Sequence, residues 1–274
     1  MQETINAEQE TPQLVEPPEV ICKPYLSYSQ ISMFMRCPRQ YEYRYIEGIK
    51  RPPSGAMKQS SAFHETAEVN YKQKVFSETD IPLSDMKDIF AERFDFIFNS
   101  EEIVFDEGDN KAKLKDKGIE IVEVHHTIIT PTVQPQLVEE KFKISLGDDF
   151  PYDLLGIWDV VDINNLIIDN KAYSKTPSQD DVDKDLQLTA YALGFRASRQ
   201  QIEKGLRIDA IIKNKTCKAV QINTTRTNMD CRWLLKSIEQ IVQAIKGGVF
   251  YPNSNGWHCS QKFCGYWDMC KGGH

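Results

Sequence analysis

The stretch GIWDVVDINNLIIDNKAYSK, residues 156–175, decides how this chain is read. It holds two strand-length apolar runs joined through Asn164-Asn165, the composition of a β-hairpin. Asp169 and Lys171 lie two apart on the second strand and therefore point to one face. The run before them, Leu166-Ile167-Ile168, is apolar and expected to be buried. A carboxylate and an ammonium at the end of such a strand are costly unless they pair or hold a metal. Asp159 sits on the first strand. An odd-length loop or a bulge within residues 162–166 sets it across from Asp169 on the same face, whereas a strict two-residue loop puts the acids on opposite faces. The expectation is the odd loop or the bulge. Two convergent carboxylates suit Mg²⁺ or Mn²⁺, hard ions that keep coordination sites for phosphate oxygens. Such a cation polarises a phosphate and lowers the pKa of an attacking water. Lys171 then stabilises developing charge or orients the water. The competing reading of D-x-K alone is a surface hairpin with a solvated ion pair.

Outward from this hairpin, QLVEEKFKISL (136–146) alternates as a strand, and RIDAIIK (207–213) and KAVQIN (218–223) read as a further hairpin. A helix with Val182, Leu186, Ala190, Leu193 and Ala197 separates the two hairpins. A last helix carries Leu234, Ile238, Ile241, Val242 and Ile245 and stops at Gly247-Gly248. Near the start, Ser27 and Gln30 form a capping box ahead of Ile31 and Phe34. Pro38 breaks that helix, leaves Cys37 at the break and opens a second helical stretch, RQYEYRYIEGI. SSAFHETAEVNYKQKV (60–75) and a segment opened by Ser84 follow as helices. The order is helices, three strands, a helix, two strands, a helix. It predicts an α/β fold with a mixed sheet flanked by helices. The expected parts are a flexible tail over 1–22, a helical N-terminal subdomain over 23–130, an α/β core over 131–250 and a cysteine-rich tail over 251–274.

Composition narrows the function. The 274 residues are 41% hydrophobic and 27% charged, as in a water-soluble domain with a core of its own. No apolar run approaches the ~20 residues that span a bilayer, and no secretory signal is visible at the start, so a cytoplasmic protein is expected. The net charge of −7 disfavours a globally cationic nucleic-acid binder and leaves room for a local basic groove. Seven cysteines, an odd number, argue against a disulfide framework.

Five stretches, in this order, resemble the RecB-type branch of the PD-(D/E)XK nuclease superfamily: LSYSQISMFMRCPRQYEYRYI (26–46), SSAFHE (60–65), GIWDVVD (156–162), LIIDNK (166–171) and LQLTAYALGF (186–195). That branch includes nuclease domains of bacterial recombination exonucleases and the CRISPR-adaptation nucleases. The resemblance runs from about Leu26 to Cys270, with a divergent part between about 72 and 135. It implies a restriction-endonuclease-like fold and a Mg²⁺- or Mn²⁺-dependent deoxyribonuclease, an exonuclease of replication, recombination or repair, for a phage or mobile element among others. By the same resemblance Asp159 and Asp169 are metal-binding acids, Lys171 is the catalytic lysine, His64 is a further metal ligand and the carbonyl of Asn170 another. Gln187 and Tyr191, one helical turn apart, match a Q-x-x-x-Y pair beside the active site and DNA. Trp158 stands where relatives have proline, and Asn170 where an aromatic is commoner. The alternatives from other classes are a non-catalytic iron–sulfur scaffold that binds DNA, and an RNA nuclease. His64 also reads as a hydrogen-bonded helix-face histidine. Glu139 and Glu140 read as rim or solvated residues, and His125 and His126 as strand-end surface residues.

Cys259, Cys264 and Cys270 crowd the end of the chain and can ligate one metal centre. In several RecB-type relatives one early and three late cysteines hold a [4Fe–4S] cluster, which makes Cys37 the fourth ligand here. Structural zinc, completed by Cys37, His258 or His274, is the rival, with Cys22 a weaker ligand. Cys217 and Cys231 are expected to be unliganded. Arg36, Arg39, Arg44, Lys50, Arg51 and Lys58, interleaved with Tyr41, Tyr43 and Tyr45, are the expected DNA-contacting segment, with tyrosines stacking on unpaired bases of a single-stranded end. The alternative for the tyrosines is core packing.

Overall fold

The computed structural model describes residues 25–147 and 152–271. The expected flexible tail, Cys22 and His274 lie outside them. The elements follow in the order β1 (Tyr25–Ser27), α1 (Tyr28–Arg36), α2 (Pro38–Tyr41), α3 (Gly55–Ser77), α4 (Leu83–Ser100), α5 (Lys111–Val124), β2 (Pro135–Ser145), β3 (Asp153–Asp162), β4 (Leu166–Tyr173), α6 (Gln179–Asp183), α7 (Leu186–Arg199), β5 (Gly205–Ile212), β6 (Lys218–Thr224), α8 (Asn228–Lys246) and α9 (Trp267–Lys271). No described helix is long and apolar enough to cross a membrane.

Six strands form one mixed sheet. Along one path the order is β1-β3-β4-β5-β6, with β2 paired to the other edge of β3. β2 runs antiparallel along almost all of β3. The opposite edge of β3 is shared. Asp153–Leu155 pair with β1 in parallel, and Val160 and Val161 pair antiparallel with Ile168 and Ile167 of β4. Residues 156–159 lie between those two pairings, where the sheet forks.

Two apolar layers enclose the sheet. Ile31, Phe34, Trp158, Val161, Ile167, Leu188, Phe195 and Leu234 belong to the layer under α1, α7 and α8. Phe63, Phe90, Phe94, Ile121, Val160, Ile168 and Ile211 belong to the layer under α3, α4 and α5. Each fully buried phenylalanine contributes about 1.5–3 kcal/mol. At Gly118 of α5 a Cβ would lie 2.0 Å from Phe90 Cζ, so only glycine allows α4 and α5 this approach.

The Ser27–Gln30 capping box forms as read from the sequence, and Cys37 is extended (φ −162) ahead of Pro38. The helical stretch after Pro38 changes to a π turn over Glu42–Ile46. Other expectations need correction. The segment opened by Ser84 begins one residue earlier, behind Pro82. The single helix expected from Val182 to Ala197 is two, because Asp185 leaves the helical region (ψ 111) and its carboxylate caps a fresh helix through Gln187 N. Helix α5, in the divergent part, was not legible. Its end explains a further correction. His125 and His126 are not strand-end surface residues but start a π turn that follows α5, with His125 2% exposed.

Candidate active site

The predicted odd loop is present. Ile163, Asn164 and Asn165 join β3 to β4, with Asn165 left-handed at φ 63. The Asp162 carboxylate accepts from Asn164 N and Leu166 N, each at 2.8 Å, and so fixes the turn. Extending the register one row past Val160–Ile168 sets Asp159 opposite Asp169. On β2 the partner of that row is Glu139, between the Val138–Val160 and Glu140–Trp158 pairs.

Strand alternation slips in this row. Leu137 and Phe142 pack in the same layer although five residues apart, and Trp158 and Val161 do so although three apart. Odd separations cannot share a face of a regular strand. On β2 the slip is visible as φ 50 at Glu139, a left-handed conformation that costs a non-glycine residue about 1–2 kcal/mol. The slip falls where the β3 edge is open, so side chains of both helical layers reach Asp159. From α3, His64 Nδ1 stands 3.4 Å from Asp159 Oδ2. The same oxygen accepts from Asn170 N at 2.9 Å. Ligand atoms of His64, Glu139 and Asp159 all lie within 4.8 Å of one another.

Asp169 and Lys171 form the second half of the site. Lys171 Nζ is 2.7 Å from Asp169 Oδ2, 3.2 Å from Asp185 Oδ2 and 2.9 Å from Gln187 Oε1. Gln187 Nε2 donates in turn to Tyr191 Oη at 2.8 Å. Thus the Q-x-x-x-Y pair joins the site through the lysine. Asp185, which caps α7, was missed. Its signal was the helix-start position just before LQLTAY. Behind the row, His125 Nε2 lies 3.0 Å from Asn170 Oδ1 and 3.3 Å from Tyr71 Oη, a buried network that fixes the residue between Asp169 and Lys171.

Charge is poorly compensated here. Burial and the neighbouring Asp169 hold the Asp159 carboxyl well above its usual pKa. Burial also raises Asp169, against the pull of Lys171. Burial and Asp159 push Glu139 up to about 7. Burial lowers His64 and brings His125 down to about 4. For Lys171 burial opposes the charge, but the carboxylates of Asp169 and Asp185 outweigh it and raise the pKa. Asp169 Oδ2 is buried without a hydrogen bond of good geometry, despite its contact with Lys171. One imidazole and neighbouring carboxylates in this state fit a hard divalent cation. The donor trio that meets here includes Glu139, which no sequence signal marked as a ligand, while Asp169 is turned to Lys171. Glu140, by contrast, is exposed and pairs with Arg199.

A groove of about 600 Å³ leads from Asp159, Gln187 and Tyr191 along the Tyr28, Ser32 and Arg36 face of α1. Arg36 is exposed at its far end. Arg39 is paired with Glu42. Tyr41 is 3% exposed and packs among Phe34, Tyr45 and Phe250, so it presents no face to a base and the core alternative holds for it. Beyond Arg36, Cys37, Cys259, Cys264 and Cys270 line one cavity with His258. Gln40 Nε2 is 3.2 Å from Cys264 Sγ, and Asn253 N is 3.4 Å from Cys37 Sγ. Cys217 and Cys231 lie elsewhere, and both are buried.

The fold is similar to the crystal structure of a candidate exonuclease from Eubacterium rectale. The TM-score is 0.56 at 12% sequence identity, over 86% of this chain and 87% of that one. At this identity the likeness bears on the fold alone. The structure of SSO0001 is more distant, with a TM-score of 0.37 at 12% identity over 75% of this chain and 95% of that one. No curated protein sequence matches significantly. The sequence pattern of one family matches from the first described strand to the last helix, residues 25–271, and by that match the chain belongs to the PD-(D/E)XK nuclease superfamily.

Proposed function

We propose that this protein is a divalent-cation-dependent deoxyribonuclease that works from a strand end, an exonuclease of the RecB-type branch. The observation that carries the reading is the meeting of His64, Glu139 and Asp159 beside the Asp169–Lys171 pair, at the uncovered part of the β3 edge. In this reading His64, Asp159, Asp169 and the Asn170 carbonyl hold Mg²⁺ or Mn²⁺, with Glu139 alongside. When bound, the cation supplies Lewis-acid polarisation of the scissile phosphate and a lowered water pKa. Lys171 stays protonated between two carboxylates, so it serves as a donor to a phosphate oxygen or to the attacking water and not as a general base. Gln187 and Asp185 aim its amine. The groove along α1 takes the strand, with Arg36 at its far end near the phosphates and Arg39, paired with Glu42 beside the cysteine cavity, next along the proposed path.

The four thiols around one cavity hold a [4Fe–4S] cluster in this proposal. Cys37, Cys259, Cys264 and Cys270 around one cavity suit either a cluster or a single zinc ion, and the RecB-type resemblance, with one early and three late cysteines, is what favours the cluster. End-labelled DNA incubated with Mn²⁺ tests the reading. Wild type is expected to release short products from an end, and Asp159→Ala and Lys171→Ala to stop cleavage while still binding DNA. Continued cleavage by both variants refutes the site.

A further inference from the structure

The cysteine-rich tail presents an aromatic surface for which the proposed chemistry has no use. Trp257 is 75% and Phe263 56% exposed, and their rings meet edge to face with centroids 5.3 Å apart. Paired large rings in water are unfavourable unless something covers them. One cation lies on Phe263 and two more lie on other rings of the same tail. Lys262 Nζ lies 5.5 Å from the Phe263 centroid, Arg51 Cζ 5.4 Å from that of Tyr266 and Lys271 Nζ 4.7 Å from that of Trp267. Such contacts occur about once per 70–80 residues, so three within one tail and its docking segment are a concentration. Among the described residues none of these three cations forms an ion pair within 4.0 Å, so a ring contact leaves each charge uncompensated. Residues 36–51 and 249–271 together carry seven Lys and Arg against three Asp and Glu, in a chain of net charge −7. That local reversal selects an anionic partner.

The surface is also continuous with the groove. Asn253 Nδ2 donates to Arg36 O at 2.9 Å, Arg39 N to Tyr251 O at 3.2 Å and Tyr266 Oη to Ile49 O at 2.8 Å. Arg36 lies at the far end of the groove that begins at Asp159, across the nine residues of α1, about 13 Å. We infer that the tail is a landing platform for an unpaired nucleic-acid strand, with Trp257 and Phe263 stacking on bases and Arg51, Lys262 and Lys271 meeting phosphates on the way to the acidic site. The inference rests on the nuclease reading for its direction but not for its chemistry. Base–ring stacking is tolerant of sequence and needs unpaired bases, so the platform takes single strands in preference to duplex.

Fluorescence anisotropy of a labelled oligodeoxythymidylate, measured in EDTA with the full-length protein, tests it. The double variant Trp257→Ala/Phe263→Ala is expected to raise Kd at least about tenfold while its melting temperature stays that of wild type. Lys262→Gln is expected to reduce the salt dependence of binding. An unchanged Kd in the double variant overturns the platform. So does equal loss of affinity for blunt duplex, or a dimer that the double variant disperses without affecting strand binding, since the surface then belongs to a second copy. A wild type that cuts no nucleic acid in Mn²⁺, yet binds the strand through Trp257 and Phe263, sinks the nuclease reading and leaves the platform standing.

Discussion

Asp169 Oδ2 is enclosed by protein, and the cation nearest to it is the Lys171 amine at 2.7 Å. Across the row, Asp159 bears the same sign of charge with only a backbone N–H and a half-buried imidazole beside it. Like charges held in a partly dry site cost stability that a bound cation would offset in the proposed reading. Two outcomes follow. Asp159→Asn keeps the acceptor for Asn170 N and removes a buried charge. It is expected to stabilise the cation-free protein by about 1–3 kcal/mol and to abolish cleavage, as urea denaturation in EDTA and a cleavage assay will show. Lys171→Met leaves Asp169 and Asp185 without their common partner. It is expected to lower stability by about 3 kcal/mol and to reduce the cleavage rate at least about a hundredfold.

Among the elements, the corner between α3 and α4 shows how the divergent helices are held. Asp80 accepts from Asn70 Nδ2 at 2.8 Å and from the buried Lys74 Nζ at 2.9 Å, and Lys74 also reaches Thr130 O at 2.7 Å. Burial alone would raise the Asp80 pKa, but the hydrogen bonds from Asn70 and Lys74 outweigh it and the net shift is downward. A carboxyl depressed in the folded state gives stability that is complete above its unfolded pKa, about 3.9, and that is lost as pH falls through the folded value. Asp80→Asn is therefore expected to lower stability at neutral pH by about 3 kcal/mol and to flatten its loss below about pH 4, measured by denaturant titrations across pH. Elements whose pattern was regular were legible in the sequence: the capping box at Ser27, the hairpin at 156–175 and the amphipathic α8. The odd loop followed from the need to bring Asp159 and Asp169 together. What stayed hidden depended on departures from period. Glu139 points to the site only because alternation slips at φ 50, and a residue-by-residue pattern on β2 assigns it to the rim. His125 is buried because α5 carries it there, and α5 has a weak apolar stripe amid six lysines and acids over Lys111–Glu120 that read as surface. Tyr41 lay in a run of tyrosines and basic residues whose composition does not tell a core ring from a stacking ring.

For the whole molecule, the tail returns to the beginning. Cys37 and Cys259 are separated by most of the chain yet line one cavity, so a group bound there closes a very long loop and restricts the unfolded state. Cys37→Ser is expected to remove visible absorbance and iron from anaerobically purified protein and to lower its melting temperature, whereas Cys217→Ser is expected to leave the absorbance intact because its thiol lies in the other apolar layer. Stoichiometric zinc without iron would instead assign the four thiols to a single tetrahedral ion. The family match covers both ends of this closure, but the account stands on the row of acids between them. Anomalous diffraction at the manganese edge from crystals soaked in Mn²⁺ tests that row most directly. A peak bounded by His64, Glu139, Asp159 and Asp169 is expected, and it disappears in Asp159→Asn. No peak there, or manganese bound away from Asp159, overturns the proposed metal site.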